Sequence, residues 1–240
     1  MVEPSPLFTS KLNQFSDLRR QRSAIPQQVA GFVHDLIIAG ELKPGDRVVE
    51  SRLARSMGIG HPTVREALVA LEHQGLVVRK ANQGCVVTTL SSKEIQQILE
   101  VRSYLEPLAV ELAVQSATAG QHGELMEAAK GMRNAGKAND IEEFYKCDLH
   151  FHDTLWRMAD NPYLARSLAH LMVPLLAFCM LKNLRDHAYL DMVRSAEGHG
   201  EIAQAIASGD KKLARRVARE RFAVFARQHM QGDQSPRDAP

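Results

Sequence analysis

The first sustained pattern along the chain has a helical period. From Pro26 onward Val29, Phe32, Val33, Leu36 and Ile37 recur at spacings of three and four, one apolar stripe on a helix that Gly40 stops. Leu42-Lys43-Pro44-Gly45-Asp46 predicts a turn. Ser51 then stands where it would cap a short second helix that buries Leu53, Ala54 and Met57, with Gly58 ending it in the left-handed conformation. A third helix is predicted from about His61 to Gln74. Pro62 sits in its first turn, where a missing N–H costs little; Val64, Ala67, Leu68 and Leu71 face inward, and Gly75 closes it.

Past Gly75 the pattern changes. Leu76-Val77-Val78 and Cys85-Val86-Val87-Thr88 are β-branched runs joined by Arg79-Lys80-Ala81-Asn82-Gln83-Gly84, a small hairpin with a basic, turn-forming tip. Three helices and a hairpin make a winged helix-turn-helix. Ser91 and Glu94 next satisfy the S-x-x-E capping box, and Ile95, Ile98, Leu99, Leu105, Leu108 and Leu112 carry a helical stripe onward. Six or seven helices are predicted over 91–230, broken near Gly120, Asp140, Asn161-Pro162, Asp186 and Gly209-Asp210. The fold class is mainly α: a winged helix-turn-helix over 25–90 and an all-α bundle over 91–230, with a flexible arm at 1–24 and a flexible tail at 231–240.

A chain of 240 residues, 45% of them apolar, can bury two cores. The longest apolar stretch, Leu168 to Leu181, falls short of the roughly 20 residues a bilayer requires, and Met1 to Arg22 lacks a signal-peptide apolar region. A cytoplasmic chain with no membrane partner is expected. Cys85, Cys147 and Cys179 are widely separated, which argues for buried thiols over a disulfide framework or a zinc ribbon. Residues 1–90 hold 11 Lys/Arg against 8 Asp/Glu, leaving 19 against 20 for the remainder, so the halves carry +3 and −1. A positive excess in the small domain fits a polyanion partner, though a solvated face has the same look.

The run Gly40-Glu41-Leu42-Lys43-Pro44-Gly45, with Leu53-Ala54, Met57-Gly58-Ile59, Val64-Arg65-Glu66-Ala67-Leu68, Leu71 and Gly75-Leu76-Val77, resembles the DNA-binding domain of the GntR family of bacterial transcription regulators. Val101-Arg102, Leu105-Glu106-Pro107, Asp148, Phe151-His152, Asn161-Pro162, His199, Ile202 and Gly209-Asp210 resemble the FCD ligand-binding domain of its FadR subfamily. The resemblance implies a homodimeric regulator, most simply a repressor and not an enzyme. It would bind a double-stranded inverted-repeat operator under the control of a small organic acid effector.

In a helix-turn-helix the third helix enters the major groove, so its outer face must carry donors. His61, Thr63, Arg65 and Glu66 lie off the buried stripe. Arg65 is the strongest candidate, since guanidinium grips a guanine edge or a phosphate, and the family uses the arginine of its V-R-E-A-L run on DNA. The bland reading is a solvated arginine paired with a nearby Glu. Where the family has S-R-T-P this chain has Gly60-His61-Pro62-Thr63, and where it often has an arginine opening the second helix it has Ser51. His61 and Ser51 can still reach DNA, and Arg52 and Arg55 stand close enough to substitute. Lys80, Asn82, Gln83 and Gly84 form the wing tip, either a plain turn or, as the resemblance implies, a backbone or minor-groove contact.

Asp148 and His152 are four apart on one helix, so both side chains leave the same face. By the resemblance His199 adds a third ligand to a divalent metal, while the position of a further histidine falls on Arg221, which has no lone pair to give. Three readings follow. Asp148, His152 and His199 hold zinc, nickel or manganese; or Arg221 pairs with Asp148, and Arg221 with Arg102 clamps an anionic effector; or these residues form a structural polar network. Arg102 and Glu106 are also an i, i+4 ion pair by spacing. His150 lies off the shared face and reads as a surface histidine; Trp156, Met172, Phe178 and Met180 read as packing. The rival from another class is a helical metalloenzyme built on Asp148, His152 and His199.

Overall fold

The computed structural model describes residues 25–186 and 190–231. The expected arm at 1–24 lies outside the described residues, as does the expected tail at 231–240 apart from Gln231, which ends the last helix. The chain divides into two compact units, the division falling between Thr89 and Leu90.

In the first unit α1 (Ile25–Ile38), α2 (Glu50–Met57) and α3 (His61–His73) are followed by β1 (Val77–Lys80) and β2 (Gly84–Val87). The apolar stripe closes as expected: Val29, Phe32, Val33, Leu36 and Ile37 of α1 are buried with Leu53, Ala54 and Met57 of α2 and Val64, Ala67, Leu68 and Leu71 of α3. The strands pair antiparallel, Val77 opposite Val87 and Lys80 opposite Gly84. Arg47 bridges to Val86, and the Asp46 carbonyl accepts from the Val87 N–H at 2.9 Å, so the segment before α2 lies along the wing as a third rung.

One cap departs from expectation. Helix α2 begins at Glu50 with Val49 at the N-cap and no side-chain cap, which puts Ser51 inside the first turn. Gly58 does end α2 at φ 61°, its amide closing onto the Ala54 and Arg55 carbonyls.

The second unit contains six helices among its described residues: α4 (Ser92–Ser116), α5 (Ala119–Ala138), α6 (Ile141–Met158), α7 (Pro162–Asp186), α8 (Met192–Ala207) and α9 (Lys211–Gln231). Ser91 and Glu94 cap α4 reciprocally. The next break comes before Gly120: Thr118 and Gln121 form a second capping box, which puts Gly120 inside α5. Helix α7 is 25 residues long because polar residues flank the apolar stretch read from the sequence. By length and composition it could cross a bilayer, but 56% of its apolar window is buried inside the protein, as in a core helix. Phe151, Leu155 and Met158 of α6 fill the same core as Met132, Leu168, Met172, Leu175 and Ile206. Trp156 and Met180 are buried as expected, and Phe178 is half-buried.

Candidate functional site

The winged unit carries its candidate residues on the outside. Ser51, Arg52, Arg55, His61, Arg65, Asn82, Gln83 and Gly84 are exposed, and Thr63 and Lys80 half-buried. The wing turns through two left-handed residues, Asn82 at φ 61° and Gly84 at φ 75°, which a short polar residue and a glycine tolerate. Arg65 does have a carboxylate partner, and it comes from across the motif: its Nε donates to Glu50 Oε2 at 2.9 Å, joining α3 to α2. With the arginine side chain 66% exposed, this pair adds well under about 1 kcal/mol of stability. Its effect is orientation, because it engages Nε and spares the two terminal nitrogens of an exposed side chain. Glu50 and Arg47 escaped the sequence reading. Arg47 lies beside the wing, its Nη2 3.8 Å from where a Cβ on Gly84 would sit, and the only signal for it was a cation following the Pro44-Gly45-Asp46 turn.

The helical unit places its candidates inside. Asp148 and His152 leave α6 one turn apart, and His199 faces them from α8. His152 Nε2 and His199 Nε2 are 3.3 Å apart, and Asp148 Oδ1 lies 3.3 Å from the latter and 3.5 Å from the former. The Phe151 ring meets both imidazoles edge-on, at centroid distances of 5.8 and 4.8 Å. His199 Nδ1 sits 2.8 Å from the Ser195 carbonyl oxygen, which can only accept, so Nδ1 carries a proton and Nε2 turns toward Asp148. Burial opposes the charge on Asp148, yet His199 and then His152 and Arg102 hold its carboxyl below the usual range. Burial likewise opposes protonation of His199, and Asp148 outweighs it, raising that pKa. At His152 burial wins and pushes the ring down to about 4, leaving it neutral at pH 7.

This donor set fits a divalent cation. Zinc bonds of roughly 2.0–2.1 Å in a tetrahedron require ligand atoms about 3.3–3.4 Å apart, close to the three edges found here. One carboxylate and two imidazoles suit zinc, nickel or manganese, and three protein donors leave a position open.

Arg221 does not pair with Asp148. Its stem passes over Gly198, Cδ lying 3.2 Å from where a Cβ would stand, and Nε reaches Glu201 Oε2 at 2.7 Å. Glycine at 198 lets α9 approach closely enough for this pairing, one helical turn along α8. The cation that aims inward is Arg102, 5% exposed. Its Nη2 donates to Glu106 Oε1 at 3.1 Å and its Nε stands 2.8 Å from Oε2, so the i, i+4 pair expected from spacing is present and buried. Arg102 lowers the Glu106 pKa against the effect of burial. Its guanidinium lies 4.6 Å from the Phe225 ring centre and 5.2 Å from that of Phe222, and Nη1 has no hydrogen-bond partner among the described residues. Arg102, His152, His199 and Arg221 all line one cavity of about 60 Å³, with Phe151, Phe222 and Phe225 as apolar wall. The two α9 phenylalanines were not foreseen. His150 is exposed, 3.3 Å from Glu124.

Residues 26–87 match the gntR family of bacterial regulatory proteins, and residues 97–224 match the FCD domain. The chain belongs to the GntR family. Its second unit is an FCD domain, and the protein is a DNA-binding transcriptional regulator, which removes the metalloenzyme reading. It is 30% identical over 185 residues to the Bacillus subtilis HTH-type transcriptional regulator YdhC, covering 75% of this chain and 80% of that one. It is 26% identical over 208 residues to the probable D-xylose utilization operon transcriptional repressor of Paenarthrobacter nicotinovorans, covering 86% and 89%. The structure of Escherichia coli McbR/YncC has the same fold, with a TM-score of 0.67 at 23% identity over 86% of this chain and 97% of that one.

Proposed function

We propose that this GntR regulator is a homodimeric repressor, acting in the bacterial cytoplasm, and that a small carboxylate bound in its FCD domain releases it from its operator. The observation that carries this reading is the buried Arg102 Nη1, a donor with no hydrogen-bond partner among the described residues, in a cavity that His152 and His199 of the triangle also line. A buried cationic donor left open costs free energy unless something negative arrives. A volume of about 60 Å³ accommodates on the order of four to six water-sized groups, the scale of a small acid. A divalent metal held by Asp148, His152 and His199 would supply a Lewis-acid position for one carboxylate oxygen, with Arg102 binding the other by charge-assisted hydrogen bonds.

On the DNA side Arg65 reads a base edge or phosphate from α3, backed by His61 and Thr63, with Ser51, Arg52 and Arg55 on α2 and Lys80, Asn82, Gln83 and Gly84 on the wing. Single base contacts discriminate by only about 1–3 kcal/mol, so two copies on an inverted repeat are needed for useful selectivity. The effector acts by the difference between its affinities for DNA-competent and released arrangements. Moving a 1:99 population to 99:1 takes about 5.5 kcal/mol.

Fluorescence anisotropy of a labelled duplex from the regulator's own upstream region tests this. Binding that survives competitor DNA and is released by one member of a panel of small carboxylates supports the reading. Binding with no sequence preference, or a specific complex that no carboxylate alters, contradicts it.

A further inference from the structure

Two imidazoles face the candidate cation site, and their Nδ1 atoms have unlike neighbours. His199 has the Ser195 carbonyl on its Nδ1. His152 Nδ1 is buried without a hydrogen bond to any described residue, and the carboxylate facing it is Glu106, whose Oε1 lies 3.4 Å away. A ring that gives its Nε2 lone pair to a cation must carry its proton on Nδ1, and that buried N–H requires an acceptor.

We propose that Glu106 is the positioning residue for His152: its carboxylate takes the Nδ1–H, fixes the tautomer and turns Nε2 into the triangle with Asp148 and His199. This rests on the reading of that triangle as a cation site. Glu106 is held in turn by the Nη2 and Nε of Arg102, at 3.1 and 2.8 Å, so it cannot swing away without leaving a buried guanidinium unpaired. Arg102, Glu106 and His152 are respectively 5%, 8% and 3% exposed, so none of the three faces bulk solvent. The 3.4 Å separation is long for a hydrogen bond, and the assignment requires it to shorten when the ring is anchored at Nε2.

Zinc affinity of the chelator-stripped full chain, measured by competition with a chromophoric chelator, tests the assignment. Glu106→Ala is expected to weaken zinc by about tenfold to a hundredfold. Glu106→Gln keeps an acceptor oxygen without its charge and is expected to recover part of that loss. A role in folding alone would lower the metal-free melting temperature of both variants and leave their zinc affinity at the wild-type value, which overturns the proposal while the cation site stands. Should Glu106→Ala fail to fold, Glu106→Gln decides: weakened zinc binding supports the assignment and wild-type affinity overturns it. A wild-type chain that takes up no zinc contradicts the cation site itself.

Discussion

The two units place their chemistry on opposite sides of their cores. In the winged unit, Leu68, Leu71 and Val64 are fully buried while Arg65, next in sequence to Val64, is exposed. In the helical unit Asp148, His152, Arg102 and Glu106 are themselves part of the interior. A surface site can be altered without touching stability. A site made of core cannot, because removing one member of a buried pair such as Arg102–Glu106 strands the other.

That contrast sets the order of expected effects. Arg102→Ala strands the Glu106 carboxylate in the interior and is expected to cost about 3–5 kcal/mol, read by urea denaturation. Trp156, the chain's one tryptophan, lies 5.6 Å from the His152 ring and reports this unit. Full retention of stability would show the Arg102–Glu106 pair to be dispensable. Leu68→Ala opens a cavity in the winged core and is expected to cost about 2–5 kcal/mol, lowering DNA binding through loss of fold. Arg65→Ala is its counterpart on the outside: about 1–3 kcal/mol of operator affinity is lost with the circular-dichroism melt unchanged. If Arg65→Ala lowers the melt as Leu68→Ala does, the separation of core from site in this unit is wrong.

Smaller effects follow. Stripping metal with a chelator and restoring zinc is expected to change Trp156 fluorescence in the wild-type chain and not in His199→Ala; no change in either contradicts the cation site. Burial pushes Cys179 up to about 12 and Cys85 up to about 11. Both therefore remain thiols at pH 8, and in the folded chain each is expected to react with a thiol reagent far more slowly than a free cysteine. Rapid modification of both would show the two cores to be open.

Local signals made the scaffold legible. The stripe through Val29 and Ile37, the Ser91–Glu94 box, and Gly58 and Gly75 all act within one or two helical turns of themselves, so spacing alone reveals them. The start of α2 misled because Ser51 resembles a cap, whereas the helix opens one residue earlier at Glu50, whose carboxylate meets an arginine 15 positions on. For the helical site, spacing put Asp148 and His152 on one face and paired Arg102 with Glu106. His199 came from family resemblance alone. The partner of Arg221 was illegible, since it depends on how closely α9 passes over Gly198. The same holds for Phe222 and Phe225, whose meeting with Arg102 is set by helix packing.

The most direct trial of the account is anisotropy of one labelled inverted-repeat duplex, selected by the full chain from a random pool, with wild type, Arg65→Ala and Arg102→Gln side by side. The account predicts that wild type binds and is released by a small carboxylate, that Arg65→Ala binds more weakly by about 1–3 kcal/mol, and that Arg102→Gln binds but no longer responds to the acid. Selection of no sequence by the wild-type chain, or undiminished binding by Arg65→Ala, would contradict it.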